Sequence, residues 1–296
     1  MPFCPKAGKK QCINRMIVKT IFEDTINEYS ELIDMDTAEN MQRMYYRGIA
    51  GLDSDGSRAL SLLIWELQSV DSPGDTTSEL KFIYAADSSC ISSLLKDYQQ
   101  EAMDEDVKKT VFEMKSLDNE RQAALKDCGF TLTPAESRDI EVTLKDCLGL
   151  PIARRKAPSY IQSIVSLDNS EFNHGLMNIM FRYSEPALED LMYLPREWFD
   201  QTVSCCVKTD GRVNGFLLVH TCPSGTIIPV LFYALGSDYK QNLVELLRYA
   251  ISRAAESYPQ DTVVRIHRRS DAVESLTGRL FPGKKGAPVI FGERAE

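Results

Sequence analysis

Between Thr226 and Phe281 the chain reads strand, short polar loop, long helix, strand, helix, an order few architectures accommodate. Ile227, Ile228, Val230, Leu231 and Phe232 form a β-branched and aromatic run of the kind found in strands buried on both faces. Gly236, Ser237 and Asp238 break it. From Tyr239 to Tyr258 the apolar positions Leu243, Leu246, Leu247, Ala250, Ile251 and Ala254 recur at three- and four-residue spacing, which predicts an amphipathic helix ended by Pro259. Val263, Val264 and Ile266 supply a second strand, and Asp271–Leu280 a second helix stopped by Pro282 and Gly283.

A strand that opens through a tight loop into a helix N-terminus is suited to anions, because unpaired backbone amides and the helix dipole converge there. In element order and spacing this stretch resembles the core of the GNAT superfamily of acyl-CoA-dependent N-acyltransferases, in which that loop holds the CoA pyrophosphate. The resemblance implies direct transfer of an acyl group from acetyl-CoA or another acyl-CoA to an amine, borne by a small molecule or a peptide.

Upstream, the same order occurs once more. Ala59–Val70 and Leu80–Ala85 read as strands, Ser88–Met103 as a helix, Val107–Met114 as a strand and Asp118–Cys128 as a helix closed by Gly129. Asp55–Gly56 and Asp210–Gly211 are the matching hairpin turns. Gly56 and Phe130 are 74 positions apart, Gly211 and Phe281 70, so a duplicated unit explains the order better than chance. The expectation is an α/β protein (α+β mixed sheet) of two GNAT-like lobes in tandem, with a mixed central sheet in each. Residues 16–148 form the first lobe, 149–158 a proline-containing linker with the basic cluster Arg154, Arg155 and Lys156, and 159–296 the second lobe. Phe130–Leu132 and Ile140–Leu144 are expected to close the first lobe as a hairpin, leaving only Ala287–Gly292 to close the second. Met1–Arg15 reads as a loose tail and Asp71–Ser78 as a polar loop.

The family's phosphate loop runs Gln or Arg, two residues, Gly, one residue, then Gly or Ala, small residues that let backbone amides approach the pyrophosphate. The second lobe offers Leu235, Gly236, Ser237, Asp238, Tyr239 and Lys240, which keep one glycine and place a lysine beside it. The first lobe offers Ala85, Ala86, Asp87, Ser88, Ser89 and Cys90, without glycine, and reads as a plain helix N-cap. Many family members have a tyrosine as general acid toward the departing thiolate. Aligning on Gly129–Phe130 and on Phe281 puts Leu125 and Leu276 at that position, and leucine donates no proton, so no catalytic residue is assigned.

The formal net charge of −9 argues against nucleic acid as a partner. It is unevenly placed: Phe199–Glu296 has 12 Lys and Arg against 10 Asp and Glu, the remainder 22 against 33. A polyanionic cofactor is therefore favoured by the second lobe. No apolar run reaches the roughly 20 residues of a membrane span. The eight cysteines are scattered without ligand spacing, so buried thiols, no metal and a cytoplasmic location are expected. His174, His220 and His267 lie on separate elements and read as structural or surface groups, since a general base needs a second convergent group. His220 and Cys222 sit two apart and invite a Cys/His nucleophile reading that lacks an orienting acid. Arg265, Arg268 and Arg269 form the densest positive patch, either a phosphate site or a solvated face. The competing reading is a catalytically inactive GNAT-like scaffold that binds a ligand or another protein.

Overall fold

The structure, a computed structural model, describes residues 16–43, 45–69, 76–183 and 189–296; the expected tail and most of the 71–78 loop lie outside them. The elements run β1 (Ile17–Ile21), α1 (Met35–Asn40), β2 (Tyr46–Leu52), β3 (Ala59–Ser69), β4 (Thr76–Ala85), α2 (Ser88–Asp104), β5 (Val107–Met114), α3 (Asn119–Asp127) and β6 (Thr131–Glu136). They continue with β7 (Asp139–Thr143), α4 (Leu144–Leu148), β8 (Ile161–Ser163), α5 (Asn169–Tyr183), α6 (Glu189–Tyr193), β9 (Cys205–Thr209) and β10 (Arg212–Thr221). β11 (Ile227–Ala234), α7 (Tyr239–Ser257), β12 (Val263–His267), α8 (Asp271–Leu280) and β13 (Pro288–Ala295) complete the chain. No helix among the described residues is long and apolar enough to cross a membrane.

Two mixed sheets result. One has the order β1-β2-β3-β4-β5-β13-β6, the other β7-β12-β11-β10-β9-β8. In each, two antiparallel pairs lead to one parallel pair, β4–β5 in the first and β11–β12 in the second, with a helix crossing between its strands. The repeated order read from the sequence is therefore present. Gly56 and Gly211 both occupy their turns with positive φ, +75° and +73°. Pro229 lies beside a bulge in β11, where Val219 pairs with Pro229 and Leu218 with Leu231, so its missing amide breaks no regular ladder.

Where the strands close the sheets, the structure departs from expectation. β6 and β7 do not form a hairpin; β6 joins the first sheet and β7 pairs antiparallel with β12 in the second. β13, expected to close the second lobe, pairs instead with β5 over Ile290–Ala295. Among the described residues, one compact unit accordingly runs from 16 to 135 with 289–296 and the other lies within 136–288, rather than 16–148 and 159–296. The 149–158 segment is not an extended linker. Pro151–Arg154 forms a short 3-10 turn, with proline at its start, and Ile152, Ala153 and Ala157 pack on the core of the second unit. The cause is a stripe of apolar side chains that composition alone disguised among prolines and basic residues.

In the first unit, α2 lays Cys90, Ile91, Leu94, Leu95, Tyr98 and Ala102 on the sheet, each fully buried aliphatic side chain contributing about 1.5–3 kcal/mol. Tyr98 meets Trp65 edge-on at 5.0 Å, and its hydroxyl lies 2.7 Å from Thr110 Oγ1. Burial pushes the Tyr98 phenol up to about 12. A raised phenol pKa leaves stability intact below the unfolded value near 10 and removes it as pH rises toward 12, by about 1.4 kcal/mol per pH unit. Denaturant melts followed at Trp65 in a Trp198→Phe background are expected to lose stability across that window, and a Tyr98→Phe change to remove most of the dependence. An identical alkaline slope in both would contradict the assignment.

Candidate functional site

Within the second unit, β11 and β12 are in register at one pair only, Ile227 with Val264, after which the strands diverge. In the first unit the equivalent strands stay paired from Thr76–Val107 to Leu80–Phe112. Beyond its single pair β11 continues for seven residues and β12 for three, with the two strands no longer in register. β11 keeps its place through β10, and β12 through β7.

At the end of β11 the chain turns through Leu235, whose amide donates to the Asn214 carbonyl at 2.7 Å. Gly236 follows at φ +91°, and a Cβ built there would meet nothing within 4 Å, so the backbone is strained for other residues and open to approach. Asp238 is the residue before α7, and no side chain caps that helix end. The first amides of a 19-residue helix thus face outward at the mouth of the splayed pair. Gly236, Ser237, Asp238, Tyr239 and Lys240 are all exposed. The Lys240 ammonium sits 5.8 Å from the Tyr239 ring centroid and has no carboxylate partner among the described residues.

The equivalent point of the first unit is built differently. The Asp87 carboxylate accepts from the Ser89 amide at 2.9 Å, so α2 is capped by the chain's own anion. A phosphate arriving there meets a carboxylate already on the helix end.

The arginine patch, read as either a phosphate site or a solvated face, is largely engaged within the second unit. Arg265 pairs with Glu141 at 3.1 Å, and Arg268 donates to the carbonyls of Arg138 and Ser137 and approaches Glu136 at 3.5 Å. Arg268 and Arg269 instead line, with Glu136, Ser137, Arg138, Ser270, Asp271 and Glu274, a cleft of about 410 Å³ beside the start of α8. Its walls alternate charge, which suits neither a polyanion nor an apolar ligand.

The remaining candidates separate cleanly. His220 is buried, stacks on Trp198 at 3.7 Å and holds its carbonyl at 2.8 Å through Nδ1, and Cys222 is buried as well, so the Cys/His reading has no accessible nucleophile. Cys205 and Cys206 face opposite cores, as alternation requires. Leu125, aligned in the sequence reading with a tyrosine of the resembled superfamily, is fully buried. Among the described residues no three His, Cys, Asp or Glu groups could hold a metal.

His267, read as a structural or surface group, has a partner that the sequence reading did not name. It lies directly across from Asp139, and its Nδ1 is 2.8 Å from the carboxylate. The partner sits 128 positions earlier in the chain, on the strand that was expected to belong to the other lobe.

A mixed-sheet unit in which two antiparallel pairs lead to one parallel pair joined through a helix occurs twice in the chain, and solved structures with that tandem architecture are similar to it. A tandem GNAT protein from the clavulanic acid biosynthesis pathway matches with a TM-score of 0.59 at 11% identity, over 95% of this chain and 98% of that one. N-myristoyltransferase from Saccharomyces cerevisiae, with bound myristoyl-CoA, matches with a TM-score of 0.60 at 12% identity, over 97% and 81%. A glucosamine N-acetyltransferase region of a fungal multi-domain β-N-acetylglucosaminidase matches with a TM-score of 0.59 at 12% identity, over 94% of this chain and 38% of that one. The chain therefore has the tandem GNAT-like fold. No protein-family model matches it, and no curated protein does.

Proposed function

We propose that this chain is an N-acyltransferase that uses acetyl-CoA or another acyl-CoA and acts on an amine carried by a small molecule or a peptide, with the second unit as the CoA binder. The observation that carries this reading is the uncapped N-terminus of α7 behind an open Gly236, set at the end of a strand that diverges from its parallel neighbour. The fold, shared with a solved enzyme that holds an acyl-CoA, supports the same choice. When bound, the thioester supplies an activated acyl carbon. The chain's part is to hold the pyrophosphate: the amides of Gly236–Lys240 donate, Lys240 adds a charge, and Asp238 opposes it. A cytoplasmic location belongs to this reading.

Replacing Lys240 with Glu is expected to weaken acetyl-CoA binding by about 1.5–3 kcal/mol, roughly 10- to 150-fold, the scale of one charge-assisted hydrogen bond. Replacing Ser88 is expected to leave the affinity unchanged. Calorimetric titration of the three proteins checks both, and equal losses at the two positions would argue against the second unit as the binder. The scaffold reading draws on one specific feature, the leucines at positions 125 and 276 where the family's acid would stand. It requires that acetyl-CoA bind, if at all, without turnover in the presence of amines.

A further inference from the structure

We infer that His267 is the general base for the amine acceptor and that Asp139 is the residue that positions it; the inference rests on the N-acyltransferase reading and names the group that reading lacks. Along β12 the side chains alternate. Val264 and Ile266 pack into the core of the second unit with Ile140 and Val142 of β7, so Arg265 and His267 lie on the opposite face. There they meet their cross-strand partners Glu141 and Asp139. His267 is three residues past the last pair between β11 and β12, on the stretch of β12 that borders the opening.

Geometry gives the imidazole a defined role. With Nδ1 held at 2.8 Å by the Asp139 carboxylate, Nδ1 is the donor and Nε2 keeps its lone pair. The imidazole is 30% exposed and the carboxylate 36%, so the pair is reachable from outside yet not fully solvated. The charged groups around it are Asp139 and Glu141 on β7, Arg265 on its own strand and Arg268 next in the chain. Arg265 is paired with Glu141, and Arg268 turns to the carbonyls of Ser137 and Arg138.

The step balances with an acyl thioester as the second substrate. An alkylammonium acceptor gives one proton to His267 Nε2. The freed lone pair forms the carbon–nitrogen bond, the carbon–sulfur bond breaks, and its electron pair leaves on sulfur, which takes the second proton as the amine becomes an amide. The imidazolium then returns its proton to solvent. A correctly placed base of this kind contributes about 10²- to 10⁴-fold in rate.

The test uses the full chain, acetyl-CoA and a panel of primary amines comprising an arylalkylamine, an amino sugar, a polyamine and a lysine peptide, with thiol release as the rate. Wild type is expected to release thiol with at least one of them. His267→Gln should lose about 100-fold or more in kcat while calorimetry finds acetyl-CoA affinity within twofold of wild type. Nitrogen-15 spectra of the three histidine rings supply a readout independent of turnover. They should show His267 as the Nδ1–H tautomer, shifted by the productive amine even without acetyl-CoA. Asp139→Asn should lose that tautomer and lower kcat with KM for acetyl-CoA unchanged. A His267→Gln rate within threefold of wild type overturns the inference, as does wild type that binds acetyl-CoA yet turns over no amine while the His267 ring stays unmoved. Absence of acetyl-CoA binding instead sinks the acyltransferase reading, and is seen separately in the calorimetry.

Discussion

Deleting residues 288–296 is expected to unfold the first unit, although those residues stand more than 150 positions from the rest of it. β13 lies between β5 and β6, so its loss opens two strand edges inside one sheet. Six registered pairs with β5 go with it, from Ile290–Met114 to Ala295–Lys109. Gly292 lies against the Phe112 ring so closely that a Cβ would come within 2.2 Å of it, which shows how tightly the strand is seated. Arg294 lies 4.7 Å over the Phe130 ring, donates to the Cys128 carbonyl at 3.2 Å and grips Glu296 through two nitrogens. At about 0.5–1.5 kcal/mol net per hydrogen bond, with the burial of Val289 added, the loss approaches the 5–15 kcal/mol that hold a domain together. The deletion protein should lose the cooperative transition reported by Trp65 and aggregate. A normal transition at an unchanged midpoint would contradict the strand assignment. Gly292→Ala tests the same seat more gently, with a loss of about 1–3 kcal/mol from overpacking.

The second large effect is expected at Arg248. Glu245 is buried on α7, its side chain 6% exposed, and Arg248 pairs with it one turn on; Gln241 also donates to it. Arg248 Nε further donates to the Ile152 carbonyl at 3.0 Å, tying α7 to the 3-10 turn at Pro151–Arg154. Arg248→Ala leaves a buried carboxylate without its cation and an orphaned carbonyl, and should cost about 3–5 kcal/mol. The double change Glu245→Leu with Arg248→Met removes both charges and should recover most of that loss, because the desolvation penalty disappears with the pair. Thermal or urea unfolding of the second unit decides it. If the double variant is as unstable as Arg248→Ala, the pair contributes through packing rather than through compensated charge.

These two sites also mark what the sequence made legible and what it did not. The β11–α7–β12–α8 run was readable because each signal is local: a β-branched run, a three- and four-residue stripe, a proline stop. A plain helix cap at Asp87 or Ser88 was readable for the same reason, and Asp87 supplies it. Partner choice among strands was not. Ser137 and Arg138 between two short extended runs look like a hairpin turn, yet β6 and β7 pair with strands remote in sequence. Nothing within a few residues encodes which exposed edge a strand will meet. That one non-local fact moved both unit boundaries, and it also hid the cross-strand partners of Arg265 and His267. With β7 assigned to the wrong lobe, Glu141 and Asp139 could not be seen facing Arg265 and His267, so the arginines read as a free positive patch and the histidine as a surface group.

An acyl-CoA is expected to meet the chain at the start of α7. The most direct measurement is amide chemical-shift mapping during titration of the isotope-labelled chain with CoA. The expected result is a saturable shift of the Gly236–Gln241 amides, with Ser88–Ile91 unmoved, since Asp87 already occupies that helix end. Shifts centred on Ser88–Ile91, or no shift anywhere at millimolar CoA, would contradict it.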